Sequence, residues 1–80
     1  MYWYTDCPKC NQGRLILMKN LSSNTFHVHC EECETGYRTP EDVAKNRGFL
    51  TLEEEFEAEP VKEPDTVIAS WAGQTFRPYI

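Results

Sequence analysis

Four cysteines carry the clearest chemistry in this sequence: Cys7-Pro8-Lys9-Cys10 and Cys30-Glu31-Glu32-Cys33. Each pair is C-x2-C, and 19 residues separate the pairs. That spacing suits a tetrahedral four-cysteine zinc site. Two residues between cysteines let the chain fold back so that both thiolates face one ion. Two such turns, brought together by a hairpin, complete the tetrahedron with Zn–S distances of about 2.3 Å. An all-sulfur tetrahedron also suits iron, so a rubredoxin-like iron site stays open; zinc is the expected structural ion. A disulfide framework needs an oxidising compartment. Met1-Tyr2-Trp3-Tyr4-Thr5-Asp6 lacks the basic stretch and apolar run of an export signal. A redox C-x2-C needs a βαβ setting that this pattern does not offer.

Residues 5–40 resemble a zinc ribbon, the rubredoxin-like zinc-binding module, and Cys7-Pro8-Lys9-Cys10 resembles its first knuckle. The usual ribbon has Gly directly after the second cysteine of a knuckle. Here Asn11 takes that place, and Asn tolerates the left-handed conformation such a turn favours. In the second knuckle Glu34 follows Cys33 and the glycine is delayed to Gly36. The resemblance implies Cys7, Cys10, Cys30 and Cys33 as ligands of one structural Zn²⁺. It leaves function open, because zinc ribbons serve transcription, translation, enzymes and protein docking alike.

Other side chains invite functional readings. His27 and His29 alternate with Phe26, Val28 and Cys30, and are expected on the solvated face of a strand. Tyr2, Trp3 and Tyr4 would fill a small core or anchor a partner, and Trp71, Phe76 and Tyr79 face the same choice. Base stacking by these aromatics would want basic residues among them, and Tyr2-Trp3-Tyr4 has none beside it. The run Glu53-Glu54-Glu55-Phe56-Glu57-Ala58-Glu59 reads as a solvated face or as a dock for a basic surface. On a helix, Leu52 and Phe56 would share one apolar edge. Trp3, Glu53, Glu54, Glu55, Phe56 and Trp71 are therefore the candidate partner-binding residues. No enzyme is expected: four cysteines would close the metal shell, whereas a catalytic zinc keeps one position open. No P-loop pattern or triad arrangement occurs.

The elements that must position the cysteines follow from local pattern. Arg14–Met18 is an apolar run of strand length. Asn20, Ser22, Ser23 and Asn24 mark a turn. Thr25–Cys30 alternates strictly, and Tyr37–Thr39 is expected as a third strand. Thr39 suits an N-cap, Pro40 the first helical position, and Glu41 and Asp42 the positive helix end. Gly48 is expected to end that helix, with Lys45 and Arg47 in its last turn. Thr51-Leu52-Glu53-Glu54 repeats a capping-box pattern, so a second short helix or an extended stretch is expected there. Glu59–Asp65 has linker composition. Thr66–Trp71 has strand composition, Ala72-Gly73-Gln74 reads as a turn, and Thr75–Arg77 would return as a hairpin arm with Pro78 at an edge.

These readings give a small metal-bound α+β fold: a zinc ribbon with a three-stranded antiparallel sheet, one short helix, and a C-terminal hairpin or extended arm. The expected divisions are 1–48 for the ribbon and helix, 49–65 for an acidic connector and 66–80 for a β-hairpin or docking arm. Eighty residues allow one small domain, of the size that recruits metals or disulfides for stability. The net charge is −5, and all of it falls in residues 51–80, where two cations face seven anions. Four thiolates around Zn²⁺ would take the total to about −7. This acidity disfavours a sequence-blind nucleic-acid binder. No apolar run approaches the roughly 18 residues of a membrane span. The expected function is a cytoplasmic, non-catalytic protein-interaction module, an adaptor or inhibitor, docking another protein, one with a basic surface. The alternative is a nucleic-acid-binding ribbon in transcription or translation, using a patch of Lys9, Arg14, Lys19 and Arg38.

Overall fold

The apolar run after the first cysteine pair becomes the central strand of the sheet. In the computed structural model, which describes residues 1–63 and 69–79, β1 is Tyr2–Asp6, β2 Arg14–Asn20, β3 Thr25–Cys30 and β4 Thr35–Tyr37. Helix α1 is Pro40–Ala44, and β5 (Phe49–Leu50), β6 (Ala58–Pro60) and β7 (Arg77–Pro78) follow. All seven strands join one antiparallel sheet in the order β5-β4-β3-β2-β1-β7, with β6 also on β2. Of the three strands expected from sequence, the first two are central to it, while the third runs over Thr35–Tyr37 rather than Tyr37–Thr39, because Thr39 caps α1. β2 pairs with β3 along one edge from Leu15 to Asn20. Its other edge is shared by β1, near Ile16, and β6, from Met18 to Asn20.

The register sorts the side chains by face, since paired residues point the same way. Leu15 opposes Cys30, and Leu17 opposes Val28, which opposes Tyr37. With Cys7, Val43, Val61 and Trp71 these form the core. His27 and His29 do point to the opposite face, but that face is not solvated. His27 is buried under the rings of Phe49 and Phe56, met edge-on at 5.9 and 5.4 Å. His29 is half-buried beside Thr51. The expectation of a wet histidine face fails because residues 49–56 fold back over it.

Helix α1 starts as expected: the Thr39 hydroxyl accepts the Asp42 N–H at 3.0 Å. It ends earlier than expected, at Ala44, with Lys45 as its C-cap rather than in its last turn. Asn46 takes a left-handed φ of 52°, the Asn46 N–H meets the Val43 carbonyl at 3.1 Å and the Arg47 N–H meets the Asp42 carbonyl at 2.8 Å. This is a Schellman stop with Asn in the left-handed place, so Gly48 is not needed for it.

Three later expectations change. Thr51–Glu53 is one turn of 3-10 helix without a side-chain cap, and the chain then extends. Leu52 is 79% exposed while Phe56 packs over His27, so the two share no helical edge. Within Glu59–Asp65, Glu59 and Pro60 belong to β6, and the Val61 N–H donates to the Leu17 carbonyl at 3.1 Å, so this part is sheet rather than linker. Of the expected Thr66–Trp71 strand, residues 66–68 lie outside the described residues, and Ala69–Trp71 is a 3-10 turn. Of the expected hairpin or extended arm, the described residues give an arm: Arg77 and Pro78 pair with Trp3 and Tyr2 of β1.

Candidate metal centre

The two C-x2-C turns sit at one end of the sheet, between β1 and β2 and between β3 and β4. They have the same backbone form. The Asn11 N–H donates to the Cys7 carbonyl at 3.0 Å, and the Glu34 N–H donates to the Cys30 carbonyl at 3.2 Å. Asn11 and Glu34 have left-handed φ values of 57° and 59°. Glu34 thus adopts the geometry that the ribbon pattern gives to glycine, despite its side chain.

The turns bring all four sulfurs within 4.8 Å of one another, so Cys7, Cys10, Cys30 and Cys33 could hold one metal ion. Cys7 Sγ lies 3.7 Å from Cys33 Sγ, and Cys10 Sγ lies 3.6 Å from Cys30 Sγ. A tetrahedron with metal–sulfur bonds of about 2.3 Å has edges of about 3.8 Å, so the pairs across the two turns fit this donor set. None of the four is in a disulfide. The Glu32 and Cys33 N–H groups each donate to Cys30 Sγ at 3.4 Å. Cys33 Sγ and the buried Thr35 hydroxyl are 3.4 Å apart in a hydrogen bond.

The thiols are electrostatically unequal. Burial pushes Cys30 up to about 12. Cys33 is held down to about 6: burial opposes this, but bonds from the Thr35 side chain and backbone outweigh it. Backbone hydrogen bonds from Gln12 and Gly13 lower Cys10. A cation at the centre would make four thiolates compatible, since it supplies the charge that burial withholds from Cys30.

Sequence reasoning missed Gly13, Thr35 and Thr51. A Cβ on Gly13 would stand 2.6 Å from Cys30 Sγ, so only glycine admits the second turn against the first. The Gly in the sequence was a visible signal; its partner across 17 residues was not. The Thr51 hydroxyl donates to the Glu34 carbonyl at 2.6 Å, which clamps residues 49–53 to the second turn.

The candidate partner residues do not form one patch. Trp71 is 1% exposed; its indole N–H donates to the Phe26 carbonyl at 3.1 Å and its ring meets Tyr4 edge-on at 5.3 Å, so it packs the core. Phe56 is half-buried on His27. Glu53, Glu54 and Glu55 are exposed, and Glu54 takes Arg38 at 2.6 and 2.8 Å. Trp3 is half-buried between Arg77, 5.2 Å from its ring, and Arg14, 5.7 Å away. Arg14 also lies 4.1 Å over Tyr79, and Glu31 accepts from both Arg14 Nε and the Tyr79 hydroxyl. The aromatics at the N-terminus thus gain in space the guanidinium neighbours they lack in sequence.

No family model matches this chain, and no curated protein or solved structure matches it either. Among the described residues no helix is long and apolar enough to cross a membrane.

Proposed function

We propose that this chain is a zinc ribbon whose single Zn²⁺ is structural and whose work is done by its surface, as a non-catalytic protein-interaction module. The observation that carries this reading is the four-thiol cluster. Four protein ligands leave a tetrahedral ion no open position for water or substrate, so the ion's role is to hold the fold. The surface then carries the function. Leu52, 79% exposed, is followed by the exposed Glu53 and Glu55, which offers an apolar contact with acidic neighbours along the chain. A partner with a basic surface suits that arrangement.

Two measurements test it. Native mass spectrometry of the purified protein should find one ion of zinc mass per chain, with no visible colour; an iron mass and a red solution would replace zinc by iron. A pull-down from lysate with and without nuclease should retain one stoichiometric protein partner that is lost when Leu52, Glu53 and Glu55 are replaced by Ala, Gln and Gln. A partner set that vanishes with nuclease would favour the nucleic-acid reading. One observation supports that second reading, the stacking of Arg14 and Arg77 with Trp3 and Tyr79. It requires affinity that falls steeply with salt.

A further inference from the structure

β4 is shorter than β3. It pairs only with Val28 and His29, so the edge of β3 at residues 25–27 has no strand beside it. A cavity of about 280 Å³ occupies this notch, just under the roughly 300 Å³ at which ligand pockets begin. Phe26 and Trp71 wall it on one face of the sheet, Phe49 and Phe56 on the other, and Arg38, 3.8 Å over the Phe49 ring, also lines it. His27 is 3% exposed, and its Nε2 has no hydrogen-bond partner among the described residues. Buried polar atoms in native proteins are almost always partnered, so this one asks for an explanation. A methyl-bearing side chain would fill the same place without an unmade bond.

We propose that this notch binds a small, neutral, planar ring with an amide-like edge, the ring lying among Phe26, Phe49 and Trp71 and the edge bonded to His27 once the Phe56 ring has turned aside. Neutrality follows from the charges at the mouth. Arg38 lines the cavity and both Glu54 oxygens already sit on its Nη2, so a cation meets Arg38 and an anion would have to compete with Glu54 for it. The amide-like edge follows from the imidazole. Burial holds His27 down to about 4, so it is neutral at pH 7 and Nε2 either donates or accepts. An amide offers a carbonyl and an N–H and serves either tautomer. Nε2 is covered in the present arrangement; of the two rings that meet His27, Phe56 is the nearer, at 5.4 Å against 5.9 Å for Phe49, and it is the one that would have to turn aside. The backbone after Phe56 is held, since the Leu21 N–H donates to the Glu57 carbonyl at 2.7 Å and the Glu57 N–H to the Ser22 hydroxyl at 3.2 Å, so access requires rotation of the Phe56 side chain alone. This proposal does not depend on the identity of the metal or on the docking surface.

The test uses the full chain, purified with its metal, and three probes followed by ¹⁵N NMR: benzamide, toluene and benzoate. Benzamide should bind saturably with a Kd of roughly 1 mM, the range that ligand efficiency allows so small a probe. The shifts should cluster at the His27 ring nitrogens, Phe56 and the Trp71 indole. Toluene and benzoate should bind at least about fivefold more weakly, toluene for want of the bond to His27 and benzoate because Glu54 already occupies Arg38. In a His27→Phe variant benzamide should lose its advantage over toluene. Equal binding of toluene and benzamide to the parent protein would overturn the proposal, as would absence of saturation or shifts confined to other surfaces.

Discussion

The residue after each C-x2-C pair decides how well the two turns close. Asn11 occupies its left-handed conformation at little cost, whereas Glu34 bears the roughly 1–2 kcal/mol that a side chain with a Cβ bears there. Glu34→Gly removes that strain and returns about 0.5–1 kcal/mol of it as unfolded-state entropy. The net expectation is a rise of a few degrees in Tm for the metal-loaded protein; a fall would show that the Glu34 side chain contributes more than its backbone takes away. Gly13→Ala should do the reverse, because its Cβ would stand 2.6 Å from Cys30 Sγ. Overpacking of this kind costs about 1–3 kcal/mol, or roughly a 5- to 150-fold loss of metal affinity in a chelator competition. His27 sets a different dependence. Burial is the main cause that lowers it from 6.5 to about 4, with the charges of His29 and Arg38 adding and Glu54 opposing. Folding therefore favours its neutral form. The stability this gives is fully present above about pH 6.5 and is withdrawn as pH falls through about 4, up to about 3 kcal/mol. Thiolate protonation also acts in acid, so the measurement is a comparison: Tm against pH for the parent and for His27→Phe. The parent should fall more steeply between pH 6.5 and 4, and parallel curves would refute the assignment.

At the scale of elements, local signals were legible and long-range coverage was not. The knuckles, β2, β3, the Asn20–Asn24 turn and the Thr39 cap are written in short patterns: C-x2-C, an apolar run, strict alternation, Thr-Pro-Glu-Asp. β6 is not. Ala58-Glu59-Pro60 reads as polar and Pro-flanked, and it becomes a strand only because the edge of β2 beyond β1 is free to accept it. Trp71 likewise has the composition of an interface anchor, and only the tertiary placement of its 3-10 turn against Phe26 turns it inward. The His27 face was misjudged for the same reason, since alternation reports which side a residue faces but not what lies on that side. If residues 58–61 are structural rather than connecting, shortening Val61 should matter. Val61 is 6% exposed in the core, and Val61→Ala should lower stability by about 2 kcal/mol. Chemical denaturation measures this; a change below about 0.5 kcal/mol would return the segment to the status of a surface linker.

For the molecule as a whole, the connectivity predicts that the metal end and the sheet form one cooperative unit. Cys7 follows β1, Cys10 precedes β2, Cys30 ends β3 and Cys33 precedes β4, so one ion would tie both turns that join these four strands. Every remaining strand hangs on one of them: β5 on β4, β6 on β2, β7 on β1. The magnitudes then decide what happens without metal. A domain of this length has a stability of about 4–12 kcal/mol in total. Structural zinc in small ribbons and fingers contributes about 10–16 kcal/mol of apparent binding energy. The second range meets the first only at its top and extends beyond it, so the metal-free chain should have no stable sheet of its own. Stripping the ion with a strong chelator at neutral pH should therefore collapse amide dispersion across the whole chain, including Val61 and the Trp71 indole, both remote in sequence from the cysteines. Cys30→Ser should do the same at stoichiometric metal. If chelation instead broadens only residues 7–14 and 30–35 while Val61 and Trp71 keep their native shifts, the aromatic cluster of Tyr4, Trp71 and Phe76 and the β2–β6 pairing hold the sheet without the ion. The metal would then be a clasp on a sheet that folds unaided, and its loss in a cell would alter the knuckle surface without unfolding the protein.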